Sequence, residues 1–185
     1  MKITLIILSA IIGLVIMIGG CSISYRNTAI SLEESVQTAK SDIDVQLSNR
    51  FNKLTELAEC VKRYDKHEYK TLVDVISARG KNMSNSEAKQ CLAAFSRVEE
   101  RYPVLRSQEN YKNLMAEISL TENHLAQHKK AYNSFIKDYR KHCRSFPSCV
   151  FLSMFGYEIV NFEYYTADES VNDKKPFNYS TAKDC

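Results

Sequence analysis

The sequence predicts an all-α fold, an antiparallel bundle of about four helices with two long ones and an N-terminal membrane anchor helix. Apolar side chains recur three and four residues apart over two long stretches, which is typical of amphipathic helices. Only Gly80 and Gly156 among its five glycines lie beyond residue 20, and the chain has three prolines. An all-β domain of 185 residues would need many more turn residues.

Charge excludes one class of function. The chain has 25 basic and 22 acidic residues, interspersed along the sequence without a basic block. Nucleic-acid-binding proteins concentrate Lys and Arg on one face. We therefore expect no nucleic-acid partner.

The first segment, residues 1–25, predicts a membrane attachment. Ile3 to Tyr25 contains no charged residue, and as a helix it is ~34 Å long, enough to cross a hydrocarbon layer of about 30 Å. A lipoprotein signal fits equally well, because Ile18-Gly19-Gly20-Cys21 resembles a bacterial lipobox. Cys21 would then carry a lipid after cleavage. Both interpretations tether the chain to a membrane.

Three helices are expected next. A stripe from Val36 to Val61 predicts a long helix over about 27–64, and 66–79 reads as a shorter helix that ends at Gly80. Ser84 and Glu87 have the spacing of a capping box, which predicts a helix over about 87–101. Tyr102-Pro103 breaks it.

The longest stripe predicts a helix over Ser107 to Pro147, with Ser107 as N-cap and Pro147 as terminator. Its members alternate in steps of three and four: Tyr111, Leu114, Ile118, Thr121, Leu125, His128, Tyr132, Phe135, Tyr139 and His142. The apolar patch after Pro147 reads as a short cap on the bundle. Residues 26–165 are thus the predicted bundle, and 166–185 a polar flexible tail.

Several motifs in this order resemble the LemA family of bacterial membrane-anchored helical proteins. They cover most of the chain and include Ser41-Asp42-Ile43-Asp44-Val45-Gln46-Leu47, Tyr64-Asp65-Lys66-His67-Glu68, Glu100-Arg101-Tyr102-Pro103, Thr121-Glu122-Asn123 and Phe155-Gly156-Tyr157. Where the family usually has Ile-Pro-Asn-Leu, this chain has Leu54-Thr55-Glu56-Leu57. Loss of that proline predicts a straighter helix here.

The resemblance implies a one-anchor protein with a helical bundle, in the bacterial cell membrane and either single-pass or lipid-anchored. Family members are often predicted with the bundle in the cytoplasm. Lys2 before the apolar run and Arg26 after it favour the opposite side under the positive-inside rule. The side of the membrane stays open at this point.

His124 and His128 are four residues apart on one helix, a spacing that can present two imidazoles to zinc. Four ligands are normally needed, and Leu125 stands where the zincin signature requires Glu. We expect a surface role for His124 and no bound metal or cofactor.

The six cysteines contain no Cys-x-x-Cys pair. Cys60 and Cys91 fall on apolar stripes and are expected to be small core residues. Cys143 and Cys149 flank Pro147 and could pair in an oxidising compartment if the chain turns back. The interpretation favoured by residue type is that the thiols are buried or free.

Glu122 and Asn123 place polar groups beside the Thr121 stripe position. A polar group in a helical seam can fix the register of neighbouring helices. Since the resemblance includes Thr-Glu-Asn, we expect Glu122 and Asn123 to make a structural inter-helix polar contact.

The function favoured by this pattern is a non-enzymatic membrane-anchored scaffold or adaptor of the LemA type. Its expected partners are membrane lipid through the anchor and other membrane or envelope proteins, with homo-oligomers as a further option. Two alternatives remain at this stage: a membrane-tethered metal-dependent enzyme that uses His124 and His128, and an oligomerising protein that shapes membranes.

Overall fold

The computed structural model describes residues 2–166, and within that range the chain forms six helices and no strand. The predicted all-α class is confirmed. The helices are α1 (Lys2–Val61), α2 (Lys66–Arg79), α3 (Asn85–Arg101), α4 (Pro103–Ser107), α5 (Glu109–Arg144) and α6 (Ser148–Met154). The predicted tail, 166–185, lies outside the described residues apart from Thr166.

The described residues divide into two compact units. Unit 1 comprises 2–38 and 132–164, and unit 2 comprises 39–131 with 165–166. Helices α1 and α5 contribute residues to both. The predicted domain limits at residues 25 and 165 stay predictions.

Helix α1 joins two stretches that the sequence treats separately, the apolar run and the stripe from Val36 to Val61. No glycine or proline interrupts it after Gly20. Thr55, which replaces the family's usual proline, donates its hydroxyl to the carbonyl of Phe51 at 3.0 Å. The helix continues past Thr55 to Val61 because every amide hydrogen of this stretch is available for helical hydrogen bonds.

Unit 2 has the larger apolar core, supplied by α1 to α5. In this unit α5 runs antiparallel to α1, since Arg50 and Lys53 pair with Glu122 and Glu117 in reverse order. The fully buried members with the largest side chains are Leu54, Leu57, Ile76, Phe95, Leu105, Tyr111 and Ile118.

Local signals define the ends of α2 and α3. Asp65 caps α2 by accepting the amide hydrogens of His67 at 2.7 Å and Glu68 at 3.2 Å. Gly80 ends it with φ of 66°, a conformation that side chains other than glycine rarely adopt. The predicted capping box of α3 is present, with Ser84 and Glu87 bonded reciprocally. The predicted bounds of α2 are confirmed, and α3 begins two residues before the predicted start.

In unit 1, the extended segment after α6 packs against α5. Phe162 is buried and lies edge-on to Tyr139, with ring centroids 5.5 Å apart. Arg140 donates to the side chain of Asn161 at 3.0 Å and to the carbonyl of Phe162. The segment is therefore attached through both its backbone and its side chains.

One predicted cap is wrong. Ser107 ends α4 instead of capping α5, and its hydroxyl donates to the carbonyl of Val104 at 2.8 Å. The helix α5 begins at Glu109 and ends at Arg144, short of the predicted limits. Proline at position 103 starts the extra turn α4, because its fixed φ suits the first helical position.

The stripe of α5 is correct from Tyr111 to Leu125 and at Tyr132 and Tyr139, whereas His128 is half-buried and two later positions shift by one residue. Ile136 and Cys143 are buried, whereas the predicted Phe135 is 38% exposed and His142 is half-buried. Alternating steps of three and four assume 3.5 residues per turn. A straight helix drifts about 20° per heptad from that repeat, so four heptads move the buried face by almost one residue.

Candidate functional site

The most concentrated polar chemistry in unit 2 is a group that we call the arginine cluster: Arg50, Met83, Asn85 and Glu122. Arg50 is fully buried. Its Nη1 lies 3.2 Å from the Glu122 carboxylate on α5 and 3.2 Å from Asn85 Oδ1 at the start of α3. Its Nη2 donates to the carbonyl of Met83. One side chain of α1 thus connects α5 and the loop between α2 and α3.

The loop is positioned by features on both of its sides. Gly80 turns the chain out of α2, and the capping box of Ser84 and Glu87 starts α3. Met83 lies between them with its side chain buried in the apolar core. Its carbonyl is thereby directed at Arg50, where the charged donor satisfies it.

Electrostatics favour a negative charge near the start of α3. The pKa of Glu87 is lowered, first by the hydrogen bond from the Ser84 amide, then by the Ser84 hydroxyl, with smaller effects of Arg79 and, last, Arg50. Within residues 2–166, Arg50 Nε is buried without a hydrogen-bond partner. A guanidinium keeps its proton throughout the physiological range, so this cluster suits inter-helix attachment better than proton transfer.

Unit 1 contains a second polar group, the tyrosine cluster: Glu33, Tyr139 and Tyr157. The Tyr157 hydroxyl donates to Glu33 Oε2 at 2.6 Å and lies 3.4 Å from the Tyr139 hydroxyl. The amide of Val160 donates to Tyr139 at 3.0 Å. Burial raises the pKa of both tyrosines, and the bond to Glu33 raises that of Tyr157 further. Both phenols therefore stay protonated at neutral pH.

The two residues predicted to make an inter-helix contact have different environments. Glu122 belongs to the arginine cluster and bridges α5 to α1. Asn123, the next residue on α5, is exposed. Adjacent helical positions point about 100° apart. Glu122 therefore faces α1, and Asn123 faces solvent.

The histidine pair lies at the edge of unit 2. His124 is exposed, and His128 is half-buried with Nδ1 3.9 Å from Asp42 Oδ2 on α1. Among residues 2–166, no group of three or more His, Cys, Asp or Glu side chains is arranged to hold a metal ion.

The cysteines of the described range are free thiols. Cys91 and Cys143 are buried, Cys60 and Cys149 are half-buried, and Cys21 is exposed on α1. Burial raises the pKa of the Cys60 and Cys143 thiols. A raised pKa keeps a thiol protonated and therefore weakly nucleophilic. Cys185 lies outside the described residues.

The N-terminal part of α1 is exposed apolar surface. From Ile3 to Ile18 its large apolar side chains are between 37% and 74% exposed. By length and composition this is the one helix among residues 2–166 that could cross a membrane. The candidate lipidation residue Cys21 lies just beyond that run, on the same continuous helix.

Sequence reasoning missed Arg50, although a signal for it exists. The residue lies three positions after Leu47 and four before Leu54, so it fits the stripe as well as Phe51 does. The stripe from Val36 to Val61 was read with Phe51, four residues after Leu47 and three before Leu54, and arginine is rarely fully buried. In the structure Arg50 is fully buried and Phe51 only partly.

Comparison with known proteins gives one result. The model of the LemA family matches residues 39–177. No curated protein matches the chain. The matched range contains the whole arginine cluster and, of the tyrosine cluster, Tyr139 and Tyr157. It leaves out the apolar run of α1.

Proposed function

Starting from the fact that this chain belongs to the LemA family, we propose that it is a non-enzymatic scaffold or adaptor tethered to a bacterial membrane. The N-terminal part of α1 is the tether. The remainder is a body, an antiparallel bundle of about four helices, that binds another membrane or envelope protein. Membrane lipid and that protein are its two partners.

The observation that carries this proposal is the double character of α1. The same helix contains an apolar run that nothing in the described chain covers and a stripe that is buried from Val36 to Val61. Exposed apolar side chains in such number are unfavourable in water and favourable in hydrocarbon. A helix built this way fits a protein whose body is held at a bilayer.

A spanning helix is the form of the tether that we favour over a lipidated Cys21. The uncharged stretch from Ile3 to Tyr25 reaches ~34 Å, enough to cross a hydrocarbon layer of about 30 Å. Its apolar run, Ile3 to Ile18, is slightly longer than the apolar part of a signal peptide, which is usually about 7–15 residues. The chain would then cross the membrane once and retain its N-terminus.

The non-enzymatic role is supported by what the buried polar groups do. Arg50 bonds to α5 and to the α2–α3 loop, and Tyr157 bonds to Glu33. Both guanidinium Nη atoms of Arg50 and the Tyr157 hydroxyl are thus used in contacts within the protein. The exposed faces of the helices are left to bind a partner. His124 and Asn123 belong to such a face on α5.

Site-specific photocrosslinking in native membranes tests the adaptor role. Photoreactive residues at exposed positions of α5, such as Asn123 and Gln127, are compared with exposed positions of α2, such as Lys70 and Asp74. We expect one envelope or membrane protein to be captured from neighbouring positions on one face and not from the other.

Other results would contradict the proposal. Capture of only the chain itself would favour the oligomerising alternative. Stoichiometric metal in the purified full chain, lost in the double variant His124→Ala/His128→Ala, would favour the enzyme alternative. Recovery of the chain in the soluble fraction after mild lysis would contradict the tether.

A further inference from the structure

The turn after α5 and the helix α6 expose a group of large apolar side chains that we call the apolar tip: Phe146, Val150, Met154 and Phe155. Their exposed fractions are 83%, 47%, 58% and 50%. Val150 and Met154 are four residues apart on α6 and share one face. Single exposed apolar residues are ordinary, but four large ones within ten residues of the chain are a concentration typical of an interaction surface.

The other side of α6 is fixed against the body of unit 1. Ser148 and Leu152 are buried, and Phe151 stacks on Tyr25 of α1 with ring centroids 5.3 Å apart and an interplanar angle of 11°. His142 Nε2 lies 3.0 Å from the carbonyl of Tyr25. The apolar tip is therefore presented by an anchored element.

Its position coincides with the end of the apolar run. Along α1, every large apolar side chain up to Ile18 is exposed, and Ser22, at 7% exposed, is the first buried residue. Tyr25, on which α6 packs, follows one turn later. The rest of unit 1 thus begins to cover α1 just after the apolar run, and α6 packs ~10 Å beyond Ile18, at the end of the uncharged stretch.

Basic side chains precede the apolar tip in the chain, and the exposed Glu158 follows it. Lys141 and Arg144 at the end of α5 and Arg26 on α1 are exposed. No Asp or Glu occurs between Lys141 and Gly156. Exposed aromatic and aliphatic side chains flanked by Lys and Arg are typical of elements that lie in a membrane interface.

We propose that the apolar tip is a second membrane contact, which inserts into the interface of the bilayer in which α1 is anchored and which Lys141 and Arg144 hold to anionic headgroups. This inference rests on the proposed tether, because the bilayer surface is located by the apolar run of α1. The occupant is lipid and not protein, since the surface adjoins the membrane-crossing stretch and carries complementary charge for anionic lipid. Two contacts fix the orientation of unit 1 at the membrane, which one helix alone does not.

The absence of tryptophan from the sequence allows a direct test. Phe155→Trp places the only tryptophan of the full chain in the apolar tip, and its emission is excited selectively over that of the tyrosines. The chain is reconstituted in vesicles of phosphatidylglycerol and phosphatidylcholine. Brominated acyl chains quench tryptophan that reaches the hydrocarbon. We expect blue-shifted emission from Trp at position 155 and loss of most of it with brominated lipid.

Two further single-tryptophan variants separate this inference from the proposed tether. Leu14→Trp reports on the apolar run of α1. Val45→Trp is an exposed control about 30 Å further along α1 than Tyr25, and it should not be quenched. Quenching of tryptophan at positions 14 and 155 but not at position 45 supports both the tether and the second membrane contact. Quenching at 14 alone overturns the second contact and leaves the tether. Quenching at neither overturns both.

The headgroup preference has its own measurement. In the Phe155→Trp background, Lys141→Glu/Arg144→Glu should reduce quenching several-fold in vesicles with phosphatidylglycerol and much less in pure phosphatidylcholine. The matched control Lys137→Glu/Asp138→Lys exchanges charges on an exposed part of α5 one to two turns earlier and should have little effect. If the Phe155→Trp chain without the charge substitutions is quenched equally in vesicles with and without phosphatidylglycerol, the role of anionic headgroups is overturned.

Discussion

Two tyrosines of the chain differ in what surrounds their hydroxyl groups. Tyr111 is 1% exposed, and within residues 2–166 its hydroxyl has no hydrogen-bond partner. Tyr157 donates to the Glu33 carboxylate at 2.6 Å. A buried hydroxyl without a partner lowers stability, whereas a bond to a charged acceptor raises it.

Phenylalanine substitutions should therefore have opposite effects at these positions. We expect Tyr111→Phe to leave the free energy of unfolding unchanged or to raise it by up to ~1 kcal/mol, and Tyr157→Phe to lower it by about 1–2 kcal/mol. Urea unfolding of the full chain in micelles, followed by helical circular dichroism, measures both. Equal destabilisation by the two substitutions would mean that Tyr111 has a bonded hydroxyl.

The charge pair of Arg50 and Glu122 leads to a second prediction. Glu122→Gln leaves the fully buried Arg50 without its counter-charge, which should cost ~3 kcal/mol. That value is the low end of the range for a broken buried pair, because Glu122 is itself 30% exposed and solvent screens its charge. The double variant Arg50→Met/Glu122→Leu removes both charges but also the donor to the Met83 carbonyl and to Asn85, so it should recover only part of the loss. The same unfolding measurement gives both values.

Glu117→Gln is the matched control. Glu117 pairs with Lys53 between the same two helices at 2.7 Å, but both side chains are substantially exposed. Exposed pairs contribute ~1 kcal/mol or less. If Glu122→Gln were no more costly than Glu117→Gln, the buried environment of Arg50 would not matter to stability.

At the scale of helices, the caps of α2 and α3 depend on carboxylates. The pKa of Asp65 is lowered, first by the Tyr102 hydroxyl and then by the amides of Glu68 and His67. That of Glu87 is lowered mainly by Ser84. A carboxyl group whose pKa is lower in the folded than in the unfolded chain stabilises the fold above its unfolded pKa, and the effect disappears as the pH falls through the folded pKa.

We therefore expect the thermal midpoint of the full chain to fall with pH from about pH 4 downwards. Asp65→Asn/Glu87→Gln retains acceptors at both caps and removes the titration, so its acid decline should be smaller. Thermal scans of both proteins between pH 2 and pH 7, in the same micelles, provide the comparison. Asp74→Asn, on the exposed face of α2, is the control. An unaltered acid decline in the double variant would show that the caps are not its source.

The helices themselves were largely predictable because their apolar positions are periodic and their caps are local. Gly80, Ser84 and Glu87 act within a few residues of their own position. Ser107 was misassigned because Pro103 starts a short helix that ends at Ser107, so that serine belongs to α4 and does not cap α5. Periodicity read at 3.5 residues per turn also misplaced Phe135, which the 3.6-residue repeat of a straight helix turns outward.

The arginine cluster was only half predictable. Glu122 stands next to a stripe position and was assigned to an inter-helix contact, and the structure places it beside Arg50. Arg50 is more than thirty residues away from Met83 and Asn85 and more than seventy from Glu122 in the sequence. Nothing local links them, since their proximity depends on how α1 and the α2–α3 loop pack.

For the whole molecule, the form of the membrane tether decides the mature N-terminus. With a spanning helix, Cys21→Ser should leave the chain in the membrane fraction after carbonate extraction, with Met1 and Lys2 retained in the intact mass. Deletion of residues 2–20 should release the chain into the soluble fraction, because the remaining part of α1 has lost its apolar run.

A lipoprotein would behave differently. The mature chain would begin at a lipid-modified Cys21, and Cys21→Ser would lose the lipid and accumulate as the uncleaved precursor. Ser22→Ala is the control, since it changes the neighbouring residue and preserves the cysteine. A mass matching acylated Cys21 would contradict the spanning helix and remove the apolar run that locates the apolar tip at the bilayer.

The buried face of α5 turns slowly around the helix axis, and this limits which insertions the long helices can accept. Inserting seven residues turns everything beyond the insertion by about 20°, so repeated heptads would slowly unwind the match between the face and its neighbours. Eighteen residues make five whole turns and restore the original direction after about 27 Å. Longer versions of α1 and α5 that still fold should therefore have both helices lengthened by about eighteen residues or a multiple of that number.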